Sequence, residues 1–120
     1  MASPITIYGI PNCETMKKAR AWLADHDVAY AFHDYKKQGV DRARLEGWCR
    51  TVGWEALLNK AGMTFRALSD ADKAKLDQSK AIALMMKQPS LINRPVLEAG
   101  GKLFVGFKPD QYATAFAARR

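Results

Sequence analysis

ITIYGIPNCETMKKARAWLADH, residues 5–26, is the stretch whose reading decides the fold. Ile5 to Ile10 alternates and is rich in β-branched side chains, the pattern of a buried strand. Pro11 and Asn12 break that strand. From Cys13 to about His26 the spacing turns helical, with Met16, Ala19, Trp22 and Leu23 on one side and Lys17, Arg20 and Asp25 elsewhere. A second strand is expected from about Ala29 to Tyr35. Strand, tight loop, helix and strand make a β-α-β unit, whose two strands should run parallel across a right-handed crossover.

A long helical stretch follows, from about Asp41 to Gln88. In its first helix Leu45, Trp48, Cys49 and Val52 stand at i, i+3, i+4 and i+7, an apolar stripe. Ser69 with Asp72 reads as a capping box, and Ile82, Met85 and Met86 mark the buried side of the next helix. Gln88-Pro89 ends it. Two short runs, Pro95 to Glu98 and Leu103 to Phe107, flank Ala99-Gly100-Gly101-Lys102, a hairpin signature and hence an antiparallel pair. Pro109 suits the first turn of a last helix carrying Tyr112 and Phe116 on one face. The order is β-α-β, helical insert at about 41–88, β-β-α. It predicts an α/β protein with a four-stranded mixed sheet, one domain over residues 1–120.

The bulk properties agree with that reading. At 120 residues with 48% hydrophobic and 26% charged, the chain can fill one core and shows no bias toward disorder. Its apolar runs are too short to span a bilayer, which argues against a membrane protein. The N-terminus lacks a basic n-region and passes straight into a strand pattern, so a signal peptide is not expected; a cytoplasmic location with reduced thiols is. The net charge of +7 comes from lysines and arginines scattered over helix faces. Without a basic block or interleaved aromatics, nucleic-acid binding is disfavoured against a basic surface suited to an anionic ligand.

Cys13 is the leading chemical candidate among two cysteines. It stands where a strand ends and a helix begins, where unpartnered N–H groups and the helix dipole favour a thiolate, the nucleophilic form. Lys17 and Lys18, one turn on, add to this effect and Glu14 opposes it. Cys49 lies on an apolar stripe and reads as a small hydrophobe. Without a CxxC or a cysteine-histidine cluster no metal site is expected. In Asn93-Arg94-Pro95 a proline at a strand start can be cis, and the arginine before it would be held in a defined orientation to grip an oxyanion or carboxylate. His26 and His33 are isolated and read as surface or half-buried residues.

Tyr8-Gly9-Ile10-Pro11-Asn12-Cys13, Lys17-Lys18-Ala19, Leu91-Ile92-Asn93-Arg94-Pro95 and Gly106-Phe107 together resemble the family of glutaredoxin-coupled arsenate reductases and Spx regulators, nearest to its YffB-type branch. The resemblance covers essentially the whole chain and implies a thioredoxin-like fold with an inserted helical part. It implies that Cys13 is the catalytic cysteine and Arg94-Pro95 the anion-binding arginine before a cis-proline, with Asn12 and Lys108 also at the substrate. The sequence departs from the arsenate reductases at two of their arginine positions, which are Asn59 and Lys108 here. It departs from the CxxC of Spx-type regulators at Met16.

The function expected from all this is a monothiol, glutathione-dependent thiol-disulfide reductase. The Cys13 thiolate would form a mixed disulfide with a small-molecule or protein substrate, released by glutathione or a glutaredoxin. Glutathione would serve as co-substrate, with no bound cofactor. Arsenate reduction and an Spx-like role at RNA polymerase are the alternatives.

Overall fold

The computed structural model describes residues 5–11, 13–99 and 101–116. They cluster into two compact units, Met1–Asp34 with Arg94–Arg120, and Tyr35–Asn93.

The first unit is built on a four-stranded mixed sheet. Its strands are β1 (Ile5–Gly9), β2 (Ala31–Asp34), β3 (Val96–Ala99) and β4 (Lys102–Val105), in the order β2-β1-β3-β4. β1 and β2 are parallel, joined through helix α1 (Glu14–Asp25), while β3 runs antiparallel to both β1 and β4. Period-2 alternation turns Ile5 and Ile7 of β1 and Leu97 of β3 to one face. There they pack with Met16, Ala19 and Leu23 of α1 and with Tyr112 and Phe116 of the last helix, Pro109–Phe116. Tyr8 is on the opposite face, where its hydroxyl donates to Glu98 Oε1 at 2.6 Å.

The second unit is helical: α2 (Tyr35–Gln38), α3 (Arg42–Val52), α4 (Trp54–Leu57), α5 (Met63–Arg66), α6 (Asp70–Lys73) and α7 (Gln78–Lys87), then a 3₁₀ turn at Pro89–Leu91. The helix closing the first unit is therefore α8. Oxygen caps fix the helix starts: Asp41 Oδ1 accepts from Arg44 N–H at 2.7 Å, Ser69 Oγ from Asp72 N–H at 3.1 Å and Asp77 Oδ1 from Lys80 N–H at 2.8 Å. The α3 stripe buries Leu45, Trp48 and Cys49, and α7 buries Ala81, Ile82, Leu84 and Met85.

Four expectations need correction. β2 spans Ala31–Asp34 rather than about 29–35, because Asp34 pairs with Gly9 and β1 offers no partner beyond it; Tyr35 already opens α2, ahead of the expected helical start near 41. The insert carries two further short helices, α4 and α5, between the expected first helix and the one capped by Ser69. Met86 is 39% exposed, because Ala81 and Leu84 draw the buried stripe of α7 round and leave it at the rim. The hairpin strands reach further into the turn than expected: Ala99 pairs with Lys102, and Gly101 before it has φ 82°.

Tyr112 supplies a direct test of core energetics. Its ring meets Trp22, Phe107 and Phe116 edge-on, at centroid distances of 5.5, 5.0 and 6.3 Å. The buried hydroxyl has no hydrogen-bond partner among the described residues, and burial pushes its pKa up. Tyr112→Phe keeps the ring contacts and removes a polar atom whose unpaired burial costs about 1–3 kcal/mol. Denaturant unfolding should show Tyr112→Phe unchanged or up to about 1 kcal/mol more stable. Ile7→Ala should lose roughly 2–5 kcal/mol. A marked loss in Tyr112→Phe would mean that the hydroxyl is bonded.

Candidate active site

The site begins with the way β1 hands over to α1. Cys13 takes the N-cap position in extended conformation, φ −115° and ψ 128°, and its carbonyl accepts the first helical hydrogen bond from Lys17 N–H at 3.0 Å. An N-cap side chain faces the N–H groups of the second and third helical residues, here Thr15 and Met16. As a thiol the sulfur makes no capping hydrogen bond; the charge that appears on ionisation is what those amides stabilise.

Sheet register brings the second half of the site to the same edge. Tyr8 stands opposite Val96 in the antiparallel β1–β3 pair, so the chain leaving β1 and the chain entering β3 meet at one end of the sheet. Arg94 is half-buried there and Pro95 buried, with the Arg94–Pro95 peptide cis, the form its place before a strand allowed. Gly106 N–H donates to the Pro95 carbonyl at 2.8 Å, tying the start of β3 to the end of β4. The Arg94 side chain stands near enough to the Cys13 sulfur to favour its ionised form.

Opposing effects set the acidity of Cys13. Burial is the largest single one and raises the pKa. It is outweighed together by the Met16 amide, the Arg94 N–H groups, the Thr15 amide and the Arg94 charge, so the thiol falls below its ordinary 9.0. Cys49 contrasts with it: burial on α3 first, then the Glu46 carboxylate, raise its pKa above 9.0.

The other residues singled out in the sequence fall in different places. Asn12 lies outside the described residues. Lys108 is exposed just before α8; its carbonyl accepts from Gln111 and Tyr112 N–H at 3.0 and 3.1 Å, and its charge is not among those acting on Cys13. Lys17 is exposed too and pairs with Glu14 at 3.6 Å instead of serving the sulfur. Among the described residues no group of three or more His, Cys, Asp or Glu could hold a metal ion.

Two residues have structural duties that the sequence did not reveal. Within the second unit Asn59 Oδ1 accepts from Ala61 N–H at 3.2 Å, and its amide lies so close to Gly62 that a methyl built there would stand 2.8 Å from Nδ2. Asn93, one residue before Arg94, donates its side chain to the Ala56 carbonyl and its N–H to the Leu57 carbonyl, both at 2.7 Å. The Asn-Arg-Pro motif carried the only signal for Asn93. Nothing in the sequence marked Asn59 as a turn residue except its place before Lys60-Ala61-Gly62.

Comparison with known proteins places this geometry. The model of the ArsC family matches residues 8–115. A solved YffB protein is 60% identical, covering 92% of this chain and 97% of its own, with a TM-score of 0.91. An arsenate reductase (ArsC) related protein from Brucella melitensis is 55% identical over 95% of each chain, with a TM-score of 0.75. The global transcriptional regulator Spx of Streptococcus mutans is 31% identical over 109 residues, 89% of this chain and 79% of Spx. The fold is thioredoxin-like, shared at 13% identity with a glutaredoxin from Archaeoglobus fulgidus at a TM-score of 0.51.

The two cysteines should separate cleanly in reactivity. Thiolate is the reacting form, so a lowered pKa moves the rise in alkylation rate to lower pH and a raised pKa moves it higher. Mass spectrometry of native protein alkylated across pH should show Cys13 labelled first, with its rate rising below pH 9.0, and Cys49 protected throughout. Equal rates at neutral pH would contradict the site described.

Proposed function

From a chain that belongs to the ArsC family, we propose a monothiol, glutathione-dependent thiol-disulfide reductase with Cys13 as its nucleophile. The observation that carries the reading is the Cys13 sulfur set between the Thr15 and Met16 amides and the Arg94 guanidinium, an arrangement that favours thiolate over thiol. A thiolate of lowered pKa is both more abundant at neutral pH and a better leaving group. Arg94 also offers a planar fork to an incoming carboxylate.

The chemistry balances without a cofactor. Cys13 thiolate attacks a disulfide formed between glutathione and a second thiol, bonds to the glutathione sulfur and expels the other sulfur as thiolate. A second glutathione thiolate, or that of a glutaredoxin, attacks the mixed disulfide and returns Cys13 as thiolate. The net change is an exchange: one external thiol is consumed, the second thiol of the substrate leaves reduced, and the disulfide bond passes to glutathione or to the glutaredoxin. Where a CxxC protein has its resolving cysteine, this chain has Met16, fully buried in the core. Release of the mixed disulfide therefore falls to an external thiol.

Arsenate reduction is the second reading, supported by the arsenate reductase-related protein at 55% identity. Its difficulty is the anion site. A compact oxyanion needs several donors gathered around it. Asn59 stands at one arginine position and closes its own turn; Lys108, at the other, offers a point charge. An Spx-like role draws on the 31% identity to that regulator, without the dithiol at Met16.

The experiment is a glutathione titration followed by NMR, with the covalent product read by mass. Wild-type protein should form a mixed disulfide at Cys13, and arsenate turnover with glutathione and glutaredoxin should be negligible beside it. Arg94→Lys keeps the charge but loses the fork, and a charge-assisted hydrogen bond contributes about 1.5–3 kcal/mol, so glutathione affinity should fall roughly tenfold or more. Robust arsenate turnover by the unmodified chain would overturn the proposal in favour of the second reading.

A further inference from the structure

We propose that Gly9 is a positioning residue for Cys13: the room it leaves for the Met16 side chain sets how closely the first turn of α1 seats on β1, and so where the Met16 amide stands at the sulfur. This rests on the reading of Cys13 as the working thiolate.

What Gly9 contributes is space, not backbone freedom. Gly39, Gly53, Gly101 and Gly106 have positive φ, the conformation that favours glycine, and Gly9 does not. A methyl built on Gly9, however, would fall on Met16 Sδ and 2.8 Å from Met16 Cε. The overlapping atoms belong to the flexible end of the Met16 side chain, so what resists their displacement is the packing around it. Gly9 is buried at the end of β1 and paired with Asp34 of β2, and Met16 is 0% exposed in the core. Close-packed interiors pass such a displacement on rather than absorb it.

The residue that would be displaced is the one whose amide serves Cys13. Met16 is the third residue of α1, so its side chain rests on the strand while its own N–H faces the N-cap sulfur. That amide leads the interactions that lower the Cys13 pKa. Arg94, from the segment entering β3, is the charge that acts on the sulfur; on α1, Glu14 and Lys17 are exposed and paired with each other, and Lys18 is exposed. Gly9, Ile10 and Pro11 are uncharged. Gly9→Ala therefore changes no charge near Cys13, and any change in its titration reports geometry.

The test is ultraviolet thiolate absorbance against pH in the full chain, with Cys49→Ala in every sample so that only Cys13 contributes, and circular dichroism to verify folding. Gly9→Ala should move the midpoint up by roughly half a unit or more, about a threefold loss of thiolate at a pH below the midpoint. Adding Met16→Ala to Gly9→Ala relieves the overlap and should return the midpoint toward the parent. An unchanged midpoint in Gly9→Ala, or a double variant no nearer the parent than the single one, overturns the proposal. Should Gly9→Ala not fold, the Gly9→Ala, Met16→Ala double variant decides: with the overlap relieved its midpoint should lie near the parent, and one raised by roughly half a unit or more overturns the proposal. Glutathione is absent from these measurements, so failure of the glutathione reading would leave their outcome intact.

Discussion

Helix N-caps are ordinarily filled by oxygen, as at Asp41, Ser69 and Asp77 in the second unit, where α4 and α5 begin instead at glycines. At the start of α1 the cap is sulfur. A thiol is a poor acceptor, so the amides of Thr15 and Met16 gain a strong partner only when Cys13 is ionised. Capping and ionisation are thereby one event. Burial pulls the other way, since the sulfur is half-buried against the core cluster, and Arg94 helps decide the balance. The remainder of the first unit reads as the apparatus that brings an arginine to this cap.

That apparatus is topological. β3 lies antiparallel beside β1, which puts the residues before Val96 and those after Gly9 at one edge of the sheet. The hydrogen bond from Gly106 to the Pro95 carbonyl pins the same edge from the β4 side. Beneath it, Met16, Ala19 and Leu23 bury α1 against Ile5, Ile7 and Leu97. The cap is thus anchored by apolar packing below and by the sheet beside it, while Glu14 and Lys17 on the outer face remain exposed.

Much of this was legible in the chain. Alternation from Ile5, the Pro11-Asn12 break and the helical spacing after Cys13 are local signals, and they located the N-cap without any knowledge of the sheet. The Asn-Arg-Pro motif likewise carried its own message. What stayed hidden depends on register between distant elements. Gly9 looks like one more residue of the first strand until β1 and α1 are packed together and Met16 is found over it. Asn59 looks like a lost arginine until its side chain is seen closing the turn at Ala61. Met86 shows why periodicity alone misplaces a rim residue: Ile82 and Met85 define the stripe, but Ala81 and Leu84 decide its centre.

The chemistry of this site depends on Arg94 and the α1 amides holding Cys13 as thiolate. Titration of the Cys13 thiolate in wild-type protein and in Arg94→Met tests this without any substrate. The wild-type midpoint should lie below 9.0 and move up when the guanidinium is removed. A wild-type midpoint at or above 9.0, or one indifferent to Arg94→Met, would contradict that dependence.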